Sequence, residues 1–281
     1  MTANMLGSAE VSRRSAWTAK AVVLVVLVLL TYYPLFFMVE TSLKSNGQFY
    51  THFWAPTWPL HVGNYGEAWS AIAPYILNSV IVTGVSTTGV VLVSCLAAYA
   101  FSQLRFPARQ AIYYAVIGLL LVPSVMTIVP LFVLVKDFGL LNNWLALILP
   151  YVATGEVLGI FVMRTFFDGV SREYFEAARV DGASELQSFW HVALPMVRSV
   201  AVVVGILEML TVWNDYVWPF LVLTNNSLKT LVVGLVTFQG LHETMWGPLM
   251  AGYTLASLPL VVVFFFTMRY FMAGLTGGLK A

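Results

Sequence analysis

Glu156, Glu208 and Asp215 are carboxylates embedded in long apolar runs. Ionisable groups at membrane depth are costly, so they are functional candidates by default. Glu156 lies ten residues before Phe166, and Glu208 eleven residues after Val197, the inner ends of two such runs. At 1.5 Å per residue both carboxyls sit about 15 Å deep, near the midplane of a hydrocarbon core about 30 Å thick. Asp215 is seven residues beyond Glu208, two turns along the same face, with Thr211 between them. Such a face can accept hydrogen bonds from the hydroxyls of a passing polar solute. Equally, each buried carboxyl can hold a proton and bond a neighbouring helix, and Asp215 can cap a chain end at the outer mouth. Asn214 and Asn78, amides in the same apolar surroundings, join the candidate pathway groups.

A second concentration of polar chemistry is "EAARVDGASELQSFWHVALP", Glu176–Pro195, in a chain that is 59% hydrophobic and 10% charged. It reads as helix–turn–helix. Ser171 caps a first helix with Glu173 in its first turn and apolar positions at Phe175, Ala178 and Val180. Asp181-Gly182 interrupts it, since Gly tolerates the left-handed conformation of a helix end. A second helix runs from Ser184 to Pro195, with Glu185 near its positive end. Phe189 and Trp190 give that helix an exposed bulky surface, which on a water-facing loop implies a partner. The residues alone leave open an amphipathic loop folded back on the bilayer.

The elements that must position these groups are membrane helices. A soluble surface needs about a quarter charged residues, whereas this chain has a mean hydropathy of +0.83 and is 15% aromatic. A net charge of +1 offers no clustered basic face for nucleic acid. The single Cys95 permits no intrachain disulfide. The expected fold is all-α and polytopic, one transmembrane domain over 1–281. Six spans of about 20 residues each fall near 17–39, 75–102, 110–135, 144–163, 197–223 and 248–272, with the charged loop 171–196 between spans four and five. The first apolar run is longer than a signal-peptide core and reads as an uncleaved span. Pro123 and Pro130 predict a kink in span three. With both termini cytoplasmic, eleven of the 14 basic residues lie inside and only Lys44, Lys136 and Lys229 outside. Residues 41–69 read as an ordered outer cap, and 224–247 as an outer loop long enough to be functional.

Enzyme chemistry finds no support. None of the lysines follows a Gly, so no phosphate-cradling loop is present. His52, His61, His191 and His242 lie outside the spans, and no His/Cys cluster suggests a metal.

The 176–195 stretch closely resembles the EAA motif of membrane subunits of binding-protein-dependent ABC importers: Glu-Ala-Ala, Asp-Gly-Ala, an aromatic, then a Pro. A second Pro frequent in the sugar permeases is Ser199 here. "TSLK", "AAYAFSQLRFP", "WNDYVWP" and the tail "GLTGGLK" resemble the smaller six-span permease of the maltose-type carbohydrate importers. The resemblance implies that the loop is a coupling helix seated in a cleft of an ATP-hydrolysing subunit. Glu176, Ala177, Asp181, Gly182 and Pro195 are then motif residues, and Ala183, Ser184, Leu186 and Phe189 belong to the docking surface. It also implies a second related permease, two ATPase copies carrying ATP and Mg, and an extracytoplasmic sugar-binding protein. Asn225, Asn226 and Gln239 of the outer loop would meet that binding protein. This chain itself would bind no cofactor and work by alternating access in the inner membrane of a prokaryote. Two alternatives compete. A polyol or glycerol-phosphate importer calls for Arg or Lys in the pathway, which no span interior carries. A stand-alone six-span channel has no use for a docking loop.

Overall fold

The computed structural model describes residues 2–236 and 244–277. Its regular structure there is helical. The elements are α1 (Thr2–Ser42), α2 (Asn46–Thr51), α3 (Gly63–Gln103), α4 (Arg109–Gly118), α5 (Ser124–Asp137), α6 (Leu145–Asp168), α7 (Glu173–Val180), α8 (Glu185–Ser188), α9 (Leu194–Asn214), α10 (Val217–Val222), α11 (Leu231–Leu235) and α12 (Trp246–Gly277). Among the described residues, five helices are long and apolar enough to cross a membrane, and α4 with α5 makes a sixth candidate bent by 102°. In bulk lipid a helix must satisfy its backbone internally, which is why a sequence this apolar resolves into helices.

The chain divides into two compact units. The first comprises Met1–Ser70 and Phe238–Leu255. In it α1 presents exposed Val, Leu and Tyr side chains along Val22–Tyr33. Ser45 caps α2 through a capping box with Gln48. Lys44, only 1% exposed, lies 2.6 Å from Glu40 Oε1 and donates to the carbonyls of His52 (2.7 Å) and Phe53 (3.2 Å). The approach to Glu40 is a close ion pair without the alignment of a directed hydrogen bond. Phe49 stacks on Trp246 at 4.8 Å, and Phe53 packs on Phe37, Phe49 and Trp54. The stretch that follows α1 is therefore an aromatic cluster pinned by a buried lysine.

The second unit comprises Ala71–Thr237 and Ala256–Ala281. One core cluster joins α3, α6, α7 and α9 through Tyr99, Met163, Phe167, Phe175, Phe189 and Val197. Another joins α5, α6, α9 and α10 through Val135, Leu147, Tyr151, Val212 and Trp218.

Several element boundaries differ from the sequence reading. α3 begins at Gly63, a dozen residues early, with Pro74 inside it. Span three is broken outright: Val122 is extended (φ −83°, ψ 117°) ahead of Pro123, whose ring disfavours helix at the residue before it. Span five stops at Asn214 and a separate short helix, α10, follows, because Asp215 leaves the helical region (ψ 125°). α6 also extends past the expected end of span four, so that Arg164 lies within a helix. It is buried there, its guanidinium 3.6 Å from the centre of the Tyr113 ring and hydrogen-bonded to Gln110 Oε1.

Candidate functional site

The charged loop is built from local signals. Ser171 Oγ accepts the N–H of Glu173, and Phe175 turns inward as the one buried residue of α7. At its end Gly182 takes φ +82°, its N–H donating to Arg179 O while the N–H of Ala183 reaches back to Ala178 O. That is the left-handed glycine closure of a helix. Ser184 caps α8 by accepting from Gln187 N, and Gln187 Oε1 accepts from Ser184 N at 2.8 Å.

Two features depart from the sequence reading. The second helix does not stop at Pro195. It passes through a π-helical turn, Phe189–Ala193, directly into α9, and Pro195 follows that turn inside the continuous helix. Nor is Phe189 part of an exposed surface. It is buried against Tyr99 at 5.6 Å, with Phe175 and Ala193 in the same cluster. Consecutive helix positions are about 100° apart, so Phe189 and Trp190 cannot both face outward. The exposed apolar face is instead Tyr174, Val180, Leu186 and Trp190. Glu176, Ala177, Asp181, Gly182, Ser184 and Pro195 are also exposed, and Ala183 is half-buried.

The sequence reading missed the clamp that holds the loop. Tyr99 Oη donates to Glu185 Oε2 at 2.9 Å, and Arg179 Nε donates to Glu185 Oε1 at 3.1 Å. One carboxylate thus ties both loop helices to α3. The signal was available in the Tyr of "AAYAFSQLRFP", an aromatic with a polar tip beside an otherwise apolar run.

The pathway candidates scatter. Glu208 is 9% exposed and sits on α9 against Gly155 of α6. A Cβ at Gly155 would lie 2.5–2.8 Å from the carboxyl atoms, so only glycine leaves this recess. The recess opens on a cavity of about 40 Å³ that Thr211 also lines. Glu156 is half-buried and its carbonyl accepts from Ser94 Oγ at 3.2 Å. Thr211 and Asn214 are exposed and donate to carbonyls of their own helix, Leu207 and Leu210. Asp215 accepts from Tyr151 Oη at 2.9 Å and from the N–H of Trp218, at the start of α10. Asn78 is buried, with its amide donating to Ser227 O and Lys229 O, so it anchors a loop rather than facing open space.

That loop is firmly held where it leaves α10. Asn142, at φ +57°, accepts from Thr224 N, Thr224 Oγ1 and Asn225 N. Asn225 in turn accepts from Ser227 N and Oγ. Asn226 is exposed, and Gln239 lies outside the described residues.

Long apolar helices interrupted by a capped, clamped polar loop define a polytopic membrane protein. Residues 90–276 match the family of binding-protein-dependent transport system inner membrane components, and the chain belongs to that family. Its members are non-catalytic permease subunits of ABC transporters, and this chain is a multi-pass membrane protein of that kind. It is 32% identical over 247 residues to a probable ABC transporter permease protein, YurM of Bacillus subtilis, covering 88% of this chain and 82% of that one. It is 34% identical to the lactose transport system permease protein LacG of Rhizobium radiobacter, over 72% of this chain and 74% of the relative. In fold it is similar to a chain of a bacterial ABC transporter importing the acidic polysaccharide alginate, at a TM-score of 0.81 and 23% identity, covering 92% and 98% of the two chains.

Proposed function

We propose that this permease subunit forms half of the pathway of an ATP-driven sugar importer. A second, related permease supplies the other half, two ATPase subunits bind ATP and Mg below, and a solute-binding protein delivers sugar from outside. Both termini face the cytoplasm in this arrangement, which puts the 171–196 loop beside the ATPase and 224–247 beside the binding protein. The observation that carries the reading is the continuity of α8 with α9 through a π turn. A push on the exposed Leu186–Trp190 face is delivered along the helix that holds Glu208. The sugar class is supported by relatives named for lactose, for melibiose, raffinose and stachyose, and for trehalose and maltose. The test is reconstitution with the partner permease and ATPase in lipid. ATP hydrolysis should rise severalfold on adding sugar-loaded binding protein and stay low with the empty form. Equal rates with both would refute the importer.

Within this reading Glu208 and Thr211 belong to the closed end of the path, with Glu156 nearby on α6. In the present conformation Glu208 is shut in its recess, so it reaches sugar only when α9 parts from α6. Glu208→Gln keeps the shape that fits against Gly155 and should retain substantial uptake. Glu208→Leu removes the acceptors, each worth about 0.5–1.5 kcal/mol per hydrogen bond, and should lose uptake while the complex still assembles. Near-normal uptake by both variants would take Glu208 out of the path.

A further inference from the structure

Between α5, α6 and α10 lies a cleft of about 330 Å³. Its lining is mostly apolar, with Ile128, Leu131, Pro150 and Trp218 among it, and its polar groups are Ser124, Thr127, Tyr151, Thr154 and Asp215. The volume falls at the lower end of ordinary small-ligand sites, about 300–1,000 Å³. We infer that this cleft is a sugar subsite that takes one neutral sugar ring during passage and disfavours anionic ones, an inference that rests on the sugar-importer reading above.

Two independent observations converge on it. The first is the break in span three. At Val122 and Pro123 the backbone leaves the helix, and the side chains on either side are exposed, Leu121 and Val125 most of all. Irregular backbone at membrane depth is tolerated only where it is covered by protein or lines a hydrated cavity. Here it opens onto the cleft through Ser124. Broken helices of this kind mark substrate sites in transporters because they release backbone groups to the solute. α5 starts without a side-chain cap, which leaves first-turn N–H donors at the rim.

The second is the state of the polar side chains. Thr127 Oγ1 donates to Ser124 O at 2.7 Å, and Thr154 Oγ1 donates to Pro150 O at 2.8 Å. Tyr151 Oη donates to Asp215. With their protons committed, these oxygens face the cleft as acceptors, and the half-buried Asp215 carboxylate keeps lone pairs beyond those engaged by Tyr151 and Trp218. A ligand must therefore bring many donors and also accept from the α5 amides, while stacking apolar C–H faces on Pro150 and Trp218. A sugar ring does all three. The charged side chain lining the cleft is a carboxylate, with no Lys, Arg or His among the lining residues. A uronate or a phosphate ester would meet like charge there.

Cys95, the one native thiol of this chain, is buried, so Thr154→Cys supplies a single reactive thiol in this subunit. The variant complex in nanodiscs, with loaded binding protein and ATP-vanadate, is exposed to a membrane-impermeant methanethiosulfonate. Maltose, lactose and raffinose serve as neutral probes, alginate oligosaccharide and glycerol 3-phosphate as anionic ones. The neutral sugar that stimulates hydrolysis should slow labelling about fivefold or more, and the anions should not. Thr127→Val and Thr154→Val, which keep side-chain shape, should each lower sugar moved per ATP by about fivefold while hydrolysis and assembly persist. A thiol that never labels, or one that labels equally with a stimulating sugar present, overturns the cleft, as does protection by an anion. If no neutral sugar stimulates hydrolysis, the sugar-importer reading falls first and the subsite with it.

Discussion

Replacing Lys44 by Met is expected to lower the amount of folded protein in the membrane severalfold. Lys44 and Glu40 are 1% and 8% exposed at their side chains and pair at 2.6 Å. Removing the ammonium leaves a buried carboxylate without its counter-charge, and it also strips the carbonyls of His52 and Phe53 of their donor. Breaking one side of a buried pair typically costs about 3–5 kcal/mol, a large share of a total stability of about 5–15 kcal/mol. The aromatic cluster of Phe37, Phe49, Phe53 and Trp54 would loosen with it. Because the loss comes mostly from the stranded partner, the double replacement Lys44→Met with Glu40→Leu should recover much of the stability. Thermal unfolding in detergent, followed alongside membrane abundance, checks both. A single variant that melts with the wild type would show that the pair bears no weight.

Gly182→Val is the second large effect. The position has open space around it, so a side chain meets no clash. The penalty lies in the backbone, since φ +82° strains a β-branched residue by about 1–3 kcal/mol. The chain relieves that strain by altering the turn between α7 and α8, which re-aims Leu186 and Trp190 relative to the Tyr99–Glu185 clamp. Sugar transported per ATP should fall by about tenfold or more, with the protein still in the membrane. Gly182→Asn should be milder, because Asn adopts the left-handed region more readily. Transport measured against phosphate release in proteoliposomes distinguishes uncoupling from simple loss. Full coupling in the Val variant would free the turn from any part in docking.

The local grammar of the loop was fully legible: Ser171, Gly182 and Ser184 act as the cap, turn and cap that their types suggest. Helix identity was legible for the same reason, since hydropathy alone specifies spans. What stayed hidden depends on partners distant in the chain. Lys44 counts as an outer-loop charge until its place beneath His52 and Phe53 is known. Glu208 looks open until Gly155, more than fifty residues earlier, is seen to form its recess. Gly63, Gly66 and Pro74 read as loop residues, yet they lie within α3, where Pro is tolerated once packing sets the path of the helix. Phe189 and Trp190 both read as outward because both are bulky and apolar, and only the distant Tyr99 and Phe175 reveal that Phe189 turns in.

The π turn also sets a phase. Inserting one residue into an α-helix turns everything beyond it by about 100°, and π turns of this kind are such insertions. The outward face of Leu186 and the inward face of Glu208 are thus held at an angular offset fixed by Phe189–Ala193. Under the importer reading, a rotation imposed at the loop turns both faces together through the same angle, so the π turn acts as a keyed shaft that keeps Leu186 and Glu208 in fixed phase.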